Sequence, residues 1–398
     1  MPGKAPFAGV RVLDLATVMA GPISATTLAD FGADVIKVEE PTRGDTIRGL
    51  GGGAGAELFW LQEGRNKRCI TLNLRLSEGQ EVLRALAKHA DVLVESFRPG
   101  TMERWGLGPE ELQAANPKLI YARVSGYGQT GPYREKGAFD RVAAAFSGVT
   151  YASGQPDGPP TRSGYALTDY MGAVWNAFAI TTALYQRDVQ GGRGQVIDLA
   201  LYEPMLRSSE ASTVVYDRYK VVRERSGNRH PTAVPSDQYL TRDERWITLF
   251  AAADHLFQRL AQVIGRPELA DDERYATATA RRENADAVEA IVAAWIAERD
   301  ADDVLGQLDA AQVAAGPVNS IADVFADPHI QARGNLAAVA DGQGGTIRMA
   351  GVLPKFSDTP GQIRHAGRPL GADNLEVYGE WLGYSPEQVD AMSKRGVI

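Results

Sequence analysis

The chain has 398 residues, of which 44% are apolar and 23% charged, and a formal net charge of -8. It is too long for one ordinary core, so two domains are expected, and its composition carries no signature of disorder. The acidic balance argues against a nucleic-acid partner, which needs an excess or a cluster of Lys and Arg, yet leaves room for local basic pockets that hold phosphates. The single cysteine, Cys69, excludes an internal disulfide and suits a reducing, cytoplasmic compartment. No apolar run has the length of a signal core or a membrane span, so no membrane partner is expected.

In chain order, residues 10–15 read as a strand, 23–31 as a helix stopping at Gly32, and 35–38 as a second strand, which makes one βαβ unit. A strand follows at Cys69–Leu72, then a helix from about Glu78 with Ser77 as N-cap and Gln80 completing a capping box. Asp91-Val-Leu-Val-Glu is the short apolar run of a buried parallel strand. Pro109 opens another helix, and Leu119–Val124 forms the next strand. Thr168 to about Asp188 reads as a long helix and Gln195–Leu201 as a strand. Strands alternating with helices predict an α/β fold with a doubly wound, mainly parallel sheet.

From Ser236 the character changes. A hairpin turning at Asp243-Glu244 precedes amphipathic helices at 254–264, 283–298 and 301–310. After Pro328 comes irregular chain with a strand near Thr346–Met349, and helices close it at Leu375–Leu382 and Pro386–Ser393. The expected organisation is a large α/β domain at 1–205, a linker at 206–235, a smaller α+β domain at 236–326, and a tail at 327–398 that returns to the large domain. Gly51-Gly-Gly-Ala-Gly reads as a surface loop.

Asp169 in A-L-T-D-Y-M-G stands at the start of an otherwise apolar helix. Such an acid is either a cap, a task Thr168 could perform alone, or a nucleophile. The familiar motifs are absent. The first strand runs into A-T-V-M-A-G-P without the glycine spacing of a dinucleotide fold, and there is no phosphate-binding G-x-x-x-x-G-K, no G-x-S-x-G and no H-E-x-x-H. The five histidines lack metal-ligand spacing, so no metal is expected.

Several segments in register carry a resemblance: V-L-D-L-A-T-V-M-A-G-P (12–22), G-A-D-V-I-K-V-E (32–39), N-K-R-C-I-T-L-N-L (66–74), D-V-L-V-E-S-F-R-P-G (91–100), G-Y-G-Q-T-G-P-Y (126–133), G-R-G-Q-V-I-D (192–198), G-N-R-H-P (227–231) and A-G-P-V-N (315–319). Together they resemble the class III CoA-transferases, the CaiB/BaiF group that includes formyl-CoA transferase, carnitine CoA-transferase and the α-methylacyl-CoA racemases.

The resemblance implies that Asp169 attacks an acyl-CoA thioester, with no cofactor beyond coenzyme A as acyl-CoA substrate. An acyl-CoA and a small carboxylic acid would be its partners, succinyl-CoA serving as a donor by analogy. It further implies an interlocked homodimer, which the long linkers permit. Coenzyme A would lie along Leu72, Asn73, Arg75, Ser96, Phe97 and Arg98, with Arg104 and Lys136 at phosphates, Met19 and Ala20 by the thiol-bearing arm, and Ala138 and Phe139 nearby. Backbone donors of Gly126, Gly128 and Gln129 are candidates for stabilising an oxyanion.

Three departures stand out. Glu40 occupies a position where the family commonly has Arg, so Arg43 or Arg48 is expected to replace that phosphate contact. Phe139 stands where the racemases carry a histidine base, and without an opposed base transfer is favoured over epimerisation. Only Gly227 stands where formyl-CoA transferases have a run of glycines, which argues against formate or oxalate as substrate.

Overall fold

The computed structural model describes residues 3–52, 56–342 and 344–398. The chain divides into two compact units: one holds the residues up to Val149 with Ser163–Thr213 and His329–Ile398, the other Thr150–Arg162 and Val214–Pro328.

The first unit is built on six strands, β1 (Arg11–Asp14), β2 (Asp34–Glu39), β3 (Lys67–Thr71), β4 (Val92–Glu95), β5 (Ile120–Ser125) and β6 (Val196–Ala200). Their order is β3-β2-β1-β4-β5-β6 and every pairing is parallel. Seven helices belong to the same stretch of chain: α1 (Ala20–Asp30), α2 (Ala56–Glu63), α3 (Ser77–Ala87), α4 (Thr101–Arg104), α5 (Pro109–Ala115), α6 (Asp140–Phe146) and α7 (Leu167–Val189).

Alternation along the strands sends successive side chains to opposite layers, both of them buried. Leu13, Ile36, Ile70, Leu93 and Tyr121 pack with Leu83 and Leu86 of α3 and Leu112 of α5. Val12, Val35, Val92, Ile120 and Ala122 pack with Leu28 of α1 and Ile180 and Leu184 of α7. The tail returns to the first of these layers through two closing helices, Asn374–Leu382 and Pro386–Lys394, which contribute Val377, Tyr378, Trp381 and Met392.

Several local expectations are revised. The N-cap of α3 is Leu76, not Ser77, and no side chain caps it, because the Gln80 amide donates to the Leu74 carbonyl at 3.0 Å. The capping box of this kind lies instead at Ser385 and Gln388. Helix α1 begins at Ala20, earlier than its apolar pattern starts, and α2 and α6 were not anticipated. Part of the Gly51–Gly55 loop lies outside the described residues.

The second unit holds an antiparallel sheet of β7 (Ser236–Leu240), β8 (Trp246–Phe250) and β9 (Ala314–Pro317). Strand β9 falls on the A-G-P-V-N segment, where an edge position tolerates proline. The helix expected at 283–298 is Ala285–Ala297, preceded by a separate piece, Ala278–Glu283. Back in the first unit, β10 (Leu336–Ala340) pairs antiparallel with β11 (Thr346–Ala350) in a hairpin of which only the second strand was expected. Among the described residues no helix is long and apolar enough to cross a membrane.

Candidate active site

Strand order reverses between β1 and β4, and in an open α/β sheet the crevice beyond the carboxyl ends of such strands is where ligands bind. A cavity of about 280 Å³ lies there, with Leu72, Asn73, Arg75 and Phe97 among its walls. Trp105 completes that side and meets Phe97 edge to face at 5.4 Å. Four of the residues expected along coenzyme A are thus gathered from β3 and β4 onto one groove. Ser96 is not a wall of this cavity, but its hydroxyl accepts the N–H of Thr17, which is one, at 2.9 Å.

A second cavity of about 290 Å³ includes Arg104 and Gln129, with Arg134 beside them. The Lys136 ammonium sits 3.7 Å over the Tyr133 ring. Ala138 presses on Gly126 so closely that a Cβ at 126 would fall 2.6 Å from the Ala138 Cβ, so this turn needs glycine for the approach of the 138 loop. Phe139 is 70% exposed and precedes α6 as its N-cap residue.

The cations around these cavities fall into two sets. Arg48 is committed to structure: it grips Glu39 through Nε and Nη2 at 2.6 and 2.7 Å, donates to the Arg368 carbonyl at 3.1 Å, and lies 3.8 Å over the Trp60 ring. It is not available to replace the contact missing at Glu40. Arg43, Arg75, Arg98, Arg104 and Lys136 are exposed and form no salt bridge among the described residues. Glu40 itself closes a turn, accepting the backbone N–H groups of Thr42 and Arg43 at 3.0 and 2.8 Å. Slight burial opposes ionisation, but these bonds win and hold its carboxyl below the ordinary range.

Asp169 lies in the first turn of α7, 8% exposed, and its carboxylate has no hydrogen-bond or salt-bridge partner among the described residues. It is not a cap. The N–H of Thr168 is taken by Asp140, whose Oδ1 accepts it at 2.9 Å, so a side chain from α6 does the work expected of Thr168. Burial, and secondarily the negative charge of Asp140, push the Asp169 carboxyl up to about 7. Only the partial positive charge of the helix start favours its anion.

An apolar cluster packs next to this acid. Met19, Ile23 and Ala173 form a buried cluster, with Val18, Leu50, Phe59, Ala166 and Tyr170 packed against it. Gly172 faces Ala20 of α1: a Cβ there would stand 3.5 Å from that of Ala20, ordinary contact, and 3.1 Å from Leu201 Cδ2, which is the tighter approach. Met19, Ala20 and the first turns of α7 are therefore neighbours, though far apart in sequence. Tyr170 points its hydroxyl at Glu63 of α2, 2.9 Å away.

The Gly-rich turn needs a correction. The N–H of Gly128 donates to Ser125 Oγ at 3.1 Å, and that of Gln129 is shared by both Asp198 oxygens at 3.0 Å. These two donors are spent inside the protein and do not form the expected oxyanion site. Asp140, Glu63 and Tyr170 were not singled out from sequence. The available signal was Asp140 itself, an acid opening a short helix within the K-G-A-F-D segment.

The fold and the site define a doubly wound α/β protein with a groove at its switch point and an uncompensated acid beside it. The profile of CoA-transferase family III matches residues 7–374. The chain is similar to the succinyl-CoA–L-malate CoA-transferase beta subunit of Chloroflexus aurantiacus, 45% identical over 99% of this chain and 98% of that one. It is similar also to the succinyl-CoA–D-citramalate CoA-transferase of the same organism, 42% identical over 99% of this chain and 98% of that one. Among solved structures, a CaiB/BaiF family protein from Brucella suis superposes with a TM-score of 0.84 at 34% identity, covering 95% of this chain and 100% of that one. The chain belongs to CoA-transferase family III, and it is a CoA-transferase.

Proposed function

We propose that the protein transfers coenzyme A from succinyl-CoA to a hydroxydicarboxylic acid such as L-malate or D-citramalate, with Asp169 as nucleophile. The Asp169 carboxylate attacks the thioester carbonyl, the C–S bond breaks, and a succinyl-aspartyl anhydride and free thiolate result. The thiolate attacks the aspartyl carbonyl and expels succinate, leaving an aspartyl-CoA thioester. The acceptor carboxylate then displaces the thiolate to give a second anhydride. Thiolate attack on the acceptor carbonyl releases the new acyl-CoA and restores Asp169. The observation that carries this reading is a buried carboxylate without a partner among the described residues, next to an apolar cluster, which is a setting that keeps a weak nucleophile poorly solvated.

The substrate class follows the relatives named above, whose descriptions specify succinyl-CoA with malate or citramalate. The unpaired Arg43, Arg75, Arg98, Arg104 and Lys136 supply the local positive charge that an acidic protein must concentrate to hold the phosphates of coenzyme A. The outer face of α7 exposes Val174, Phe178, Tyr185 and Val189 at 59–65%. An apolar stripe of this kind calls for cover, and a second copy of the chain, as in an interlocked homodimer, supplies it.

The test is intact mass after incubation with succinyl-CoA followed by hydroxylamine or borohydride, for wild type and Asp169→Ala. A mass change that maps to Asp169 and disappears in the variant supports the covalent route; transfer that proceeds with no trapped species and persists in the variant sinks it.

A further inference from the structure

The loop between β1 and α1 carries Met19 and Ala20 to Asp169, and its backbone is in a state the sequence alone does not favour. Val18 has φ 71°, in the left-handed region that β-branched residues avoid. Such a conformation persists only where the surroundings enforce it.

The enforcing groups are four buried charges. Lys37 and Lys67 are both 0% exposed, as is Asp14, and Asp45 is 2% exposed. Lys37 Nζ stands 2.7 Å from Asp45 Oδ2 and 3.6 Å from Asp14 Oδ1, while Lys67 Nζ stands 2.8 Å from Asp14 Oδ2. Each of the four also holds the loop or the helix start by its backbone. Asp14 accepts the Ala16 N–H at 3.2 Å, Lys37 donates to the Ala16 carbonyl, Asp45 accepts the Val18 N–H at 2.9 Å, and Lys67 donates to the Pro22 carbonyl at 2.7 Å. Thr17, between them, is tied to Ser96. A balanced buried quartet is weak evidence for stability, since apolar residues of the same volume serve as well; its attested use is to select one conformation. Here the conformation selected is that of Val18, whose side chain packs in the cluster of Met19, Ala166, Tyr170 and Ala173 flanking Asp169.

We infer that Asp45, held by Lys37, is a positioning residue for the transfer reaction: by fixing the Val18 N–H it forces the left-handed turn that sets Met19 and Ala20 against the first turn of α7. This rests on the reading of Asp169 as nucleophile. Asp45 is also a wall of the groove at the switch point, so the Kd for CoA is what separates an action through Val18 from a contact with the substrate.

Glycine adopts the left-handed region freely, so Val18→Gly removes the need for the clamp. The experiment is a cycle of wild type, Asp45→Ala, Val18→Gly and the double variant, measuring kcat for CoA transfer, Kd for CoA by calorimetry, and melting temperature. Asp45→Ala is expected to lower kcat about tenfold, with Kd within about threefold, and the loss in kcat is expected to shrink below about threefold in the Val18→Gly background. A purely structural role would lower the melting temperature and leave the kcat loss the same in both backgrounds, which overturns the inference, as does a wild-type kcat in Asp45→Ala or a larger change in Kd than in kcat.

If Asp45→Ala does not fold, hydrogen exchange of the wild type decides: the residue-18 amide should be protected, and an unprotected amide overturns the proposal. A wild-type protein that shows no transfer defeats the proposed function instead, and the exchange result separates the two failures.

Discussion

Asp45 and Asp169 are the same residue type, both buried at the carboxyl edge of one sheet, and the fold treats them in opposite ways. Burial alone raises the proton affinity of either carboxyl. At Asp45 the Lys37 ammonium and two backbone N–H groups overcome that effect and hold the group below its ordinary range. At Asp169 no cation and no donor is found among the described residues, the like charge of Asp140 adds to the effect of burial, and the carboxyl rises to about 7. The fold can satisfy a buried acid when position is the goal. Where it withholds a partner, it keeps an acid basic enough to attack a carbonyl.

The sharpest break between the two sites is in turnover. Asp169→Asn should cut kcat by roughly 10⁴-fold or more while leaving the Kd for CoA within a few-fold. Turnover within tenfold of wild type, measured by product chromatography, would remove Asp169 from the chemistry.

Stability should move in opposite directions. Asp45→Ala leaves Lys37 only Asp14, which Lys67 also holds, and the weaker influence of Glu39, and should cost about 3–5 kcal/mol in urea unfolding. Asp169→Asn should raise the melting temperature. The folded-state carboxyl of Asp169 lies above its unfolded value, so its ionisation penalty is absent in acid and grows as pH rises from the ordinary aspartate range to about 7. The gain in Asp169→Asn should therefore be full at pH 8 and vanish toward pH 4. An equal gain at both values would contradict the assignment.

Turnover should follow the same titration. In the proposed mechanism the attacking form is the anion, so kcat should rise with pH up to about 7, close to tenfold per unit well below it, and then level. Asp140→Asn, which keeps an acceptor for the Thr168 N–H but removes the neighbouring charge, should move that midpoint down. A midpoint that stays put leaves burial as the sole cause.

The smallest effects should come from the cations. Arg75→Ala and Arg98→Ala should each raise KM for the acyl-CoA by up to about tenfold with kcat unchanged, and more salt should narrow the difference. Arg48→Ala, by removing a cation already paired with Glu39, should instead lower the melting temperature. A KM effect in Arg48→Ala equal to that of Arg75→Ala would erase the distinction between committed and free cations.

Much of this was legible in the chain. Short apolar runs such as Asp91-Val-Leu-Val-Glu, set between helical stretches, specify a doubly wound sheet because period and length are local properties. Asp169 could be singled out since an acid among Ala166, Leu167, Tyr170 and Met171 is conspicuous. Its two readings could not be separated there, because a cap and a nucleophile differ only in what lies within 3 Å. The same limit misled the reading of Ser77 with Gln80, and that of Gly128 with Gln129, where a spacing compatible with one set of hydrogen bonds was used for another.

By itself, then, the amino-acid sequence determined the alternation of strand and helix, the family pattern, and the residue types available for chemistry. The tertiary structure alone decided which charges are cancelled and which are not. It paired Lys37 with Asp45 and Arg48 with Glu39, left Arg75 and Arg98 facing solvent, and brought α6 to cap the helix of Asp169 while giving its carboxylate nothing. Those choices depend on distances of a few ångströms between residues remote in the chain, and electrostatic energy inside a protein is set at that scale.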